Sequence, residues 1–157
     1  MVNTTLFKHN QNFACYVAVE NEFDCAPIMK AVWEAKKNCY LPILSKTSTL
    51  AFGVYESDTI LKLNRYHILE PDTSSYFPLE QLDVVLMPLV GFDLQGHRLG
   101  MGGGYYDRTF QFLLDKTIRK PFMLGLAYEF QKIEHIPTDP WDVAMDSVLT
   151  EEKLYLF

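Results

Sequence analysis

The sequence predicts an α/β protein: a single three-layer α/β/α domain on a mainly parallel central sheet. Three observations carry that expectation. Segments rich in β-branched and aromatic residues alternate with segments whose apolar residues recur at helical spacing, the order that builds parallel sheets with helices on both sides. One segment, LDVVLMPLVGF (residues 82–92), is apolar almost without a break, as a strand covered on both faces must be. The chain has 157 residues, 48% hydrophobic and 22% charged, which suits one compact unit with a substantial core.

Taken in order, residues 1–12 (MVNTTLFKHNQN) read as a polar N-terminal segment and residues 13–157 as the domain. FACYVAVE, from Phe13 to Glu20, has strand composition. In DCAPIMKAVWEAKKN the period changes: Asp24 can cap, Pro27 fits a first helical turn, and Ile28, Ala31, Val32 and Ala35 share a face. CYLPIL returns to strand. TLAFGVYE alternates Leu50, Phe52 and Val54, predicting a strand with one exposed face near a sheet edge. NRYHILEPDTSSYFP carries turn chemistry and is expected to run over the surface. After the apolar run, Tyr106, Phe110, Leu113 and Leu114 mark a helix, PFMLGLAY a buried strand, and DSVLTEEKLYLF one short closing strand.

Composition narrows the function. A net charge of −6 argues against a general nucleic-acid or anionic-membrane surface, while leaving room for a local anion site. No stretch nears the roughly 18 apolar residues of a membrane span, and no apolar leader stands at the start. Cys15, Cys25 and Cys39 lack metal spacing and read as small buried thiols, which predicts a cytoplasmic protein. A monomer is expected.

Gly91, Gly96, Gly100, Gly102, Gly103 and Gly104 are six of the chain's eight glycines, and they directly follow the apolar strand. Strand, glycine-rich turn and helix in that order make an anion site: backbone N–H groups approach the ligand with no Cβ in the way. Arg98 and Arg108 offer planar forks for phosphate. Asp107 can hold magnesium, which takes one or two protein carboxylates beside phosphate and water. Neither GxxxxGKS/T nor GxGxxG is met, because His97-Arg98 and Tyr105 stand at the deciding positions.

The longer string PLVGFDLQGHRLGMGGGYYDRTF resembles the signature of the 5-formyltetrahydrofolate cyclo-ligases, also called methenyltetrahydrofolate synthetases. VENEFDCAPIMKAVWEAKKNCYLPIL, NRYHILEP and WDVAMDSVLTE resemble further segments of that family, so the likeness runs from about Phe13 to the end. It implies an ATP- and Mg2+-dependent ring closure of 5-formyltetrahydrofolate to 5,10-methenyltetrahydrofolate, releasing ADP and phosphate. By position it implies an ATP cradle of Arg98, Leu99, Gly100, Met101, Gly102, Gly103, Gly104, Tyr105 and Tyr106, with Arg98 and Tyr105 as the catalytic pair. Val17, Glu22 and Met101 through Tyr105 would line the folate side, with Tyr105 stacking on the pterin and Glu22 accepting its hydrogen bonds. Asp107 and Asp146 match magnesium-associated acids.

Members of that family begin with a helix whose lysine and arginine reach the nucleotide phosphates. Upstream of Phe13 this sequence has only Lys8, so the basic helix is expected to be absent and Lys8 to be an ordinary solvated lysine. The alternative is therefore a folate- or nucleotide-binding module with little or no turnover. A sugar-phosphate isomerase or coenzyme A transferase-like relative is a second rival, disfavoured by the RLG…GGGYYDR run. Arg108 either pairs with Asp107 or faces solvent. His97 reads as a turn-exposed ring, His67 and His135 as surface or packing residues, and His9 lacks any metal spacing. Trp33 and Trp141 read as core or rim aromatics, Asp142 as a cap for the segment after it, and Lys36-Lys37 as a solvated helix end.

Overall fold

A computed structural model describes residues 1 and 3–157. The helices are α1 (Thr5–His9), α2 (Ala26–Glu34) and α3 (Tyr105–Phe110). The strands are β1 (Asn12–Ala14), β2 (Asn38–Leu44), β3 (Leu50–Val54), β4 (Leu61–Leu63), β5 (Leu69–Pro71), β6 (Val84–Pro88), β7 (Gly91–Phe92), β8 (Arg98–Leu99), β9 (Phe122–Leu126), β10 (Ser147–Leu149) and β11 (Leu154–Leu156). Seven of them form one sheet in the order β11-β10-β9-β6-β1-β2-β3. Its five inner strands are parallel, and β3 and β11 close the edges antiparallel. The α/β class read from the sequence is the class observed.

Period-two alternation along the central strands feeds two cores. Val84 and Leu86 face one side with Phe13, Leu41, Leu124 and the buried α2 residues Met29 and Val32. Val85 and Met87 face the other with Ala14, Tyr40, Phe52, Met123 and Phe110 of α3. Phe13, Phe52, Phe92 and Phe110 are fully buried, each contributing roughly 1.5–3 kcal/mol. Thr109 locks α3 to β3: its Oγ1 accepts from Leu50 N at 2.7 Å and donates to Tyr105 O at 2.6 Å.

Several elements differ from expectation. The strand beginning near Phe13 ends at Ala14; only Cys15 N still reaches the sheet, donating to Tyr40 O at 2.8 Å. Beyond it Tyr16 turns its hydroxyl to Phe23 O at 2.6 Å, so the aromatic and β-branched residues shape a loop instead of a ladder. Val54 is half-exposed although Leu50 and Phe52 are buried. The expected surface stretch supplies the turn and second strand of the β4–β5 hairpin, which buries Glu70 against β2: its Oε2 accepts from Leu44 N at 3.0 Å. The helix after the glycines lasts six residues, then tightens to a 3-10 turn that leaves Leu114 exposed. The closing segment is two strands, because Thr150 Oγ1 accepts from Lys153 N at 3.1 Å and turns the chain back.

The polar start contains α1, capped by Thr4 Oγ1 on Phe7 N at 3.2 Å and anchored by buried Phe7. Lys37 is not merely solvated: its Nζ donates to Asn10 O at 2.6 Å and stands 5.4 Å from the Phe7 ring, so it docks α1. Asp24 does accept at the start of α2, from Ala26 N at 2.9 Å. Asp142 instead accepts from Asp139 N, on the segment before it, at 2.8 Å.

Candidate active site

Beyond the carboxyl end of β6 the chain folds into the β7–β8 hairpin, whose turn is organised by one buried carboxylate. Asp93 Oδ1 accepts from Gln95 N and His97 N, both at 3.0 Å. Its Oδ2 meets His97 Nδ1 at 2.9 Å and accepts from Ile136 N at 3.1 Å. Burial works to raise the Asp93 carboxyl, but these donors outweigh it and hold the group below the usual carboxylate range. The sequence reading of His97 as an exposed turn residue is thus corrected: its ring is pinned to Asp93. Gly96 completes the turn at φ +86°, where a Cβ would lie 2.8 Å from Met145 O.

From this hairpin the glycine loop runs into α3. Gly102 and Gly104 hold φ of +78° and +61°, the left-handed region that side chains resist. A Cβ on Gly100 or Gly102 would meet nothing within 4 Å, so both present bare backbone to open space. Arg98, at the base of the loop, donates from Nη1 to Val143 O and from Nη2 to Asp107 Oδ1, each at 2.7 Å. Asp107 Oδ1 also accepts from Val143 N at 3.1 Å. Loop, helix and the segment before β10 are thereby tied at one ion pair whose side chains are only 8% and 21% exposed.

Arg108 neither pairs with Asp107 nor stands free. Its Nε donates to Ser48 O at 2.8 Å and its Nη2 to Gly103 O, bracing the glycine loop from the β2–β3 turn. Tyr105 reaches across to the β4–β5 hairpin, where its hydroxyl meets Arg65 Nη2 and lies 3.1 Å from the Tyr66 hydroxyl. Hydrogen bonds from Tyr66 and Arg65 hold the Tyr105 phenol below its ordinary value. Burial pushes the Tyr106 phenol up, with the Glu22 charge adding to the rise and Arg98 opposing it.

These elements enclose a cavity of about 880 Å³. Arg98 through Asp107 line it, with Val17 and Glu22 from the β1–α2 loop, Tyr66 and Ile68 from the hairpin, and Trp141 and Val143 opposite. Glu22 Oε2 accepts from Val19 N at 3.0 Å, yet burial outweighs that bond and raises the carboxyl above the ordinary glutamate range. Every residue singled out in the sequence as a site candidate therefore stands in one wall system, except Asp146. Asp146 is outside the lining, and its Oδ2 accepts from Met123 N at 2.7 Å. Lys8 also lies outside the lining.

Among the described residues no group of three or more histidine, cysteine or acidic side chains is arranged to hold a metal alone. The donor set at Asp107 nonetheless fits a magnesium ion bound with phosphate. Both hydrogen bonds to Asp107 fall on Oδ1, and one carboxylate with phosphate oxygens and water is a set this ion uses. Arg65 and Tyr66 were missed by sequence reasoning; NRYHILEP signalled a turn, and only the folded hairpin shows that it faces the glycines. No helix among the described residues is long and apolar enough to cross a membrane.

Comparison with known proteins agrees with this geometry. The model of the 5-formyltetrahydrofolate cyclo-ligase family matches residues 1–151. The chain is 39% identical to the 5-formyltetrahydrofolate cyclo-ligase of Haemophilus influenzae over 143 residues, covering 88% of this chain and 75% of that protein. It is 38% identical to the enzyme of that name from Escherichia coli over 146 residues, covering 90% and 79%. The NMR structure of Aquifex aeolicus 5,10-methenyltetrahydrofolate synthetase superposes with a TM-score of 0.81 at 30% identity, covering 99% of this chain and 76% of that one. The synthetase of Mycoplasma pneumoniae gives a TM-score of 0.66 at 28% identity, covering 89% and 73%. Motif, fold and relatives agree that the chain belongs to the 5-formyltetrahydrofolate cyclo-ligase family.

Proposed function

We propose that this protein closes 5-formyltetrahydrofolate to 5,10-methenyltetrahydrofolate with ATP as co-substrate, releasing ADP and phosphate. The observation that carries the reading is the bare glycine backbone of Gly100 and Gly102, facing open space beside the Arg98–Asp107 pair in a cavity of about 880 Å³. A cavity of that size lies in the upper part of the range of small-molecule sites.

The chemistry asks the protein for position and charge, not for a nucleophile. The formyl oxygen forms a bond to the γ-phosphorus as ADP leaves, giving a phosphorylated imidate. The second folate nitrogen then attacks the former formyl carbon, loses its proton, and the C–O bond breaks to release phosphate. Backbone N–H groups of the glycine loop cradle the phosphates, while Arg98 offsets charge growing on the transferred group. Bound Mg2+ would supply further charge neutralisation at the phosphates, held by Asp107. On the folate side Tyr105 offers its ring to the pterin, Glu22 accepts from pterin N–H groups, and Val17 packs beside them.

The test mixes the protein with 5-formyltetrahydrofolate and MgATP and follows methenyl product by absorbance, omitting ATP or magnesium in parallel. ATP-dependent product is expected. Folded protein that binds both substrates without product would instead establish a binding module, and ATP-independent turnover would reject the reading.

A further inference from the structure

Two exposed arginines flank Tyr105, and neither has an acidic partner. Arg65 comes from the turn of the β4–β5 hairpin, donates from Nη2 to the Tyr105 hydroxyl, and holds its guanidinium carbon 5.1 Å from the Tyr66 ring centroid. Arg108 comes from α3 and lines the cavity, with its guanidinium carbon 5.5 Å from the Tyr105 ring centroid. Among the described residues no carboxylate lies within ion-pair distance of either. We infer that Arg65 and Arg108 grip the carboxylates on the glutamyl tail of the folate, an inference that rests on the cyclo-ligase reading above.

Charge supports it first. The chain carries a net charge of −6, and Arg98 in the cavity wall is paired with Asp107 at 2.7 Å. Lys62 of the hairpin is likewise paired, with Asp72 at 2.8 Å. Arg108 is held differently, by carbonyls: Nε on Ser48 O at 2.8 Å and Nη2 on Gly103 O. Arg65 is held by a phenol. Neutral acceptors fix a guanidinium fork in place without cancelling its charge, which stays available to an anionic ligand.

Topology supports it second. The loop carrying Glu22 follows β1, whereas Arg108 reaches the β2–β3 turn through Ser48 and the hairpin carrying Arg65 packs on β2. In the sheet, β1, β2 and β3 succeed one another away from β6, so the acid lies toward the sheet centre and the arginines toward the β3 edge. Two strand spacings come to about 10 Å. Folate has the matching layout: a pterin rich in N–H donors, an aminobenzoyl spacer of similar reach, and then the glutamyl carboxylates. Pro42 and Leu44 of β2 and Leu50 of β3 line the cavity along that path and give the spacer an apolar bed.

The test compares 5-formyltetrahydrofolate with its diamide, in which both tail carboxylates are neutral amides, by calorimetry. The unaltered protein is expected to bind the acid more tightly than the diamide, with a gap that shrinks as salt is raised. Arg65→Gln keeps a donor for the Tyr105 hydroxyl and removes the charge. It should weaken binding of the acid about fivefold while diamide and ATP affinities hold, and Arg65→Lys should restore most of the loss. Arg108→Gln should act on the acid in the same sense. Equal losses for acid and diamide would overturn the inference, because a purely structural role through Tyr105 weakens both alike. So would unchanged affinity for the acid in both variants, or weakened ATP binding with folate unaffected, which would put the arginines on the phosphates. Each of those results leaves the cyclo-ligase reading standing. If the unaltered protein bound neither acid nor diamide and formed no methenyl product, both would fall.

Discussion

Arg98 and Asp107 meet at 2.7 Å on the inner wall of the cavity, and each holds one backbone group of Val143. The pair is therefore both the charge centre of the site and a structural knot joining residues far apart in sequence. Removing one partner strands the other in a poorly hydrated place. Asp107→Ala is expected to lower unfolding free energy by about 3 kcal/mol, read from urea denaturation. Arg98→Met in that background should recover part of the loss, and strict additivity of the two changes would refute the coupling.

The glycines divide into those the backbone needs and those whose Cβ would meet only open space. Gly104→Ala places a side chain at φ +61° with its Cβ 2.6 Å from Arg108 Nη1, so a stability loss of about 1–2 kcal/mol is expected. Gly100→Ala meets nothing within 4 Å and should change stability by less than about 0.5 kcal/mol. On the proposed function it should nonetheless weaken ATP binding, because its methyl group would occupy the phosphate approach. Denaturation and nucleotide titration of the two variants together separate the roles.

Asp93→Ala removes the acceptor for three backbone N–H groups and the partner of His97 Nδ1. A loss of about 3 kcal/mol at neutral pH is expected, because these donors are left unsatisfied. The native carboxyl is held low, so its stabilisation is present above the ordinary aspartate range and is lost as pH falls through the folded value. The stability gap between native protein and variant should therefore narrow on acidification. A gap independent of pH would show that the charge contributes nothing.

Glu22 runs the other way. Its carboxyl is raised by burial, so its contribution is whole below the ordinary glutamate range and is lost as pH rises through the folded value. Glu22→Gln keeps an acceptor for Val19 N without the charge. Relative to native protein, its melting temperature should improve from about pH 4 to about pH 8. On the proposed function, folate affinity should also fall, since the amide would be a weaker acceptor for pterin N–H groups.

What the sequence disclosed was local. β6 and the glycine loop lie within one run of chain, so their hydrophobicity and backbone freedom could be read together, and nearly all candidate residues there line the cavity. What stayed hidden was pairing at a distance. Arg65 reaches Tyr105 across 40 positions, and Arg98 reaches Val143 across 45; no periodicity encodes either meeting. Asp146 was picked from its motif and stands outside the cavity lining, with Oδ2 accepting from Met123 N. The stretch after Ala14 has strand composition, and only the absence of ladder partners beyond Cys15 tells that it becomes a loop.

The anchoring of Asp93 by Ile136 carries a consequence for how the protein is made. A nascent chain can fold the β7–β8 turn as soon as it emerges, yet Ile136 follows Asp93 by 43 positions and Val143 completes the Arg98–Asp107 knot later still. Synthesis proceeds at about 5–20 residues per second, so the cradle stays incomplete for seconds after its glycines leave the ribosome. The cavity wall can close only after Val143 has been made, and premature termination before residue 143 yields a product with the motif but not the cavity wall.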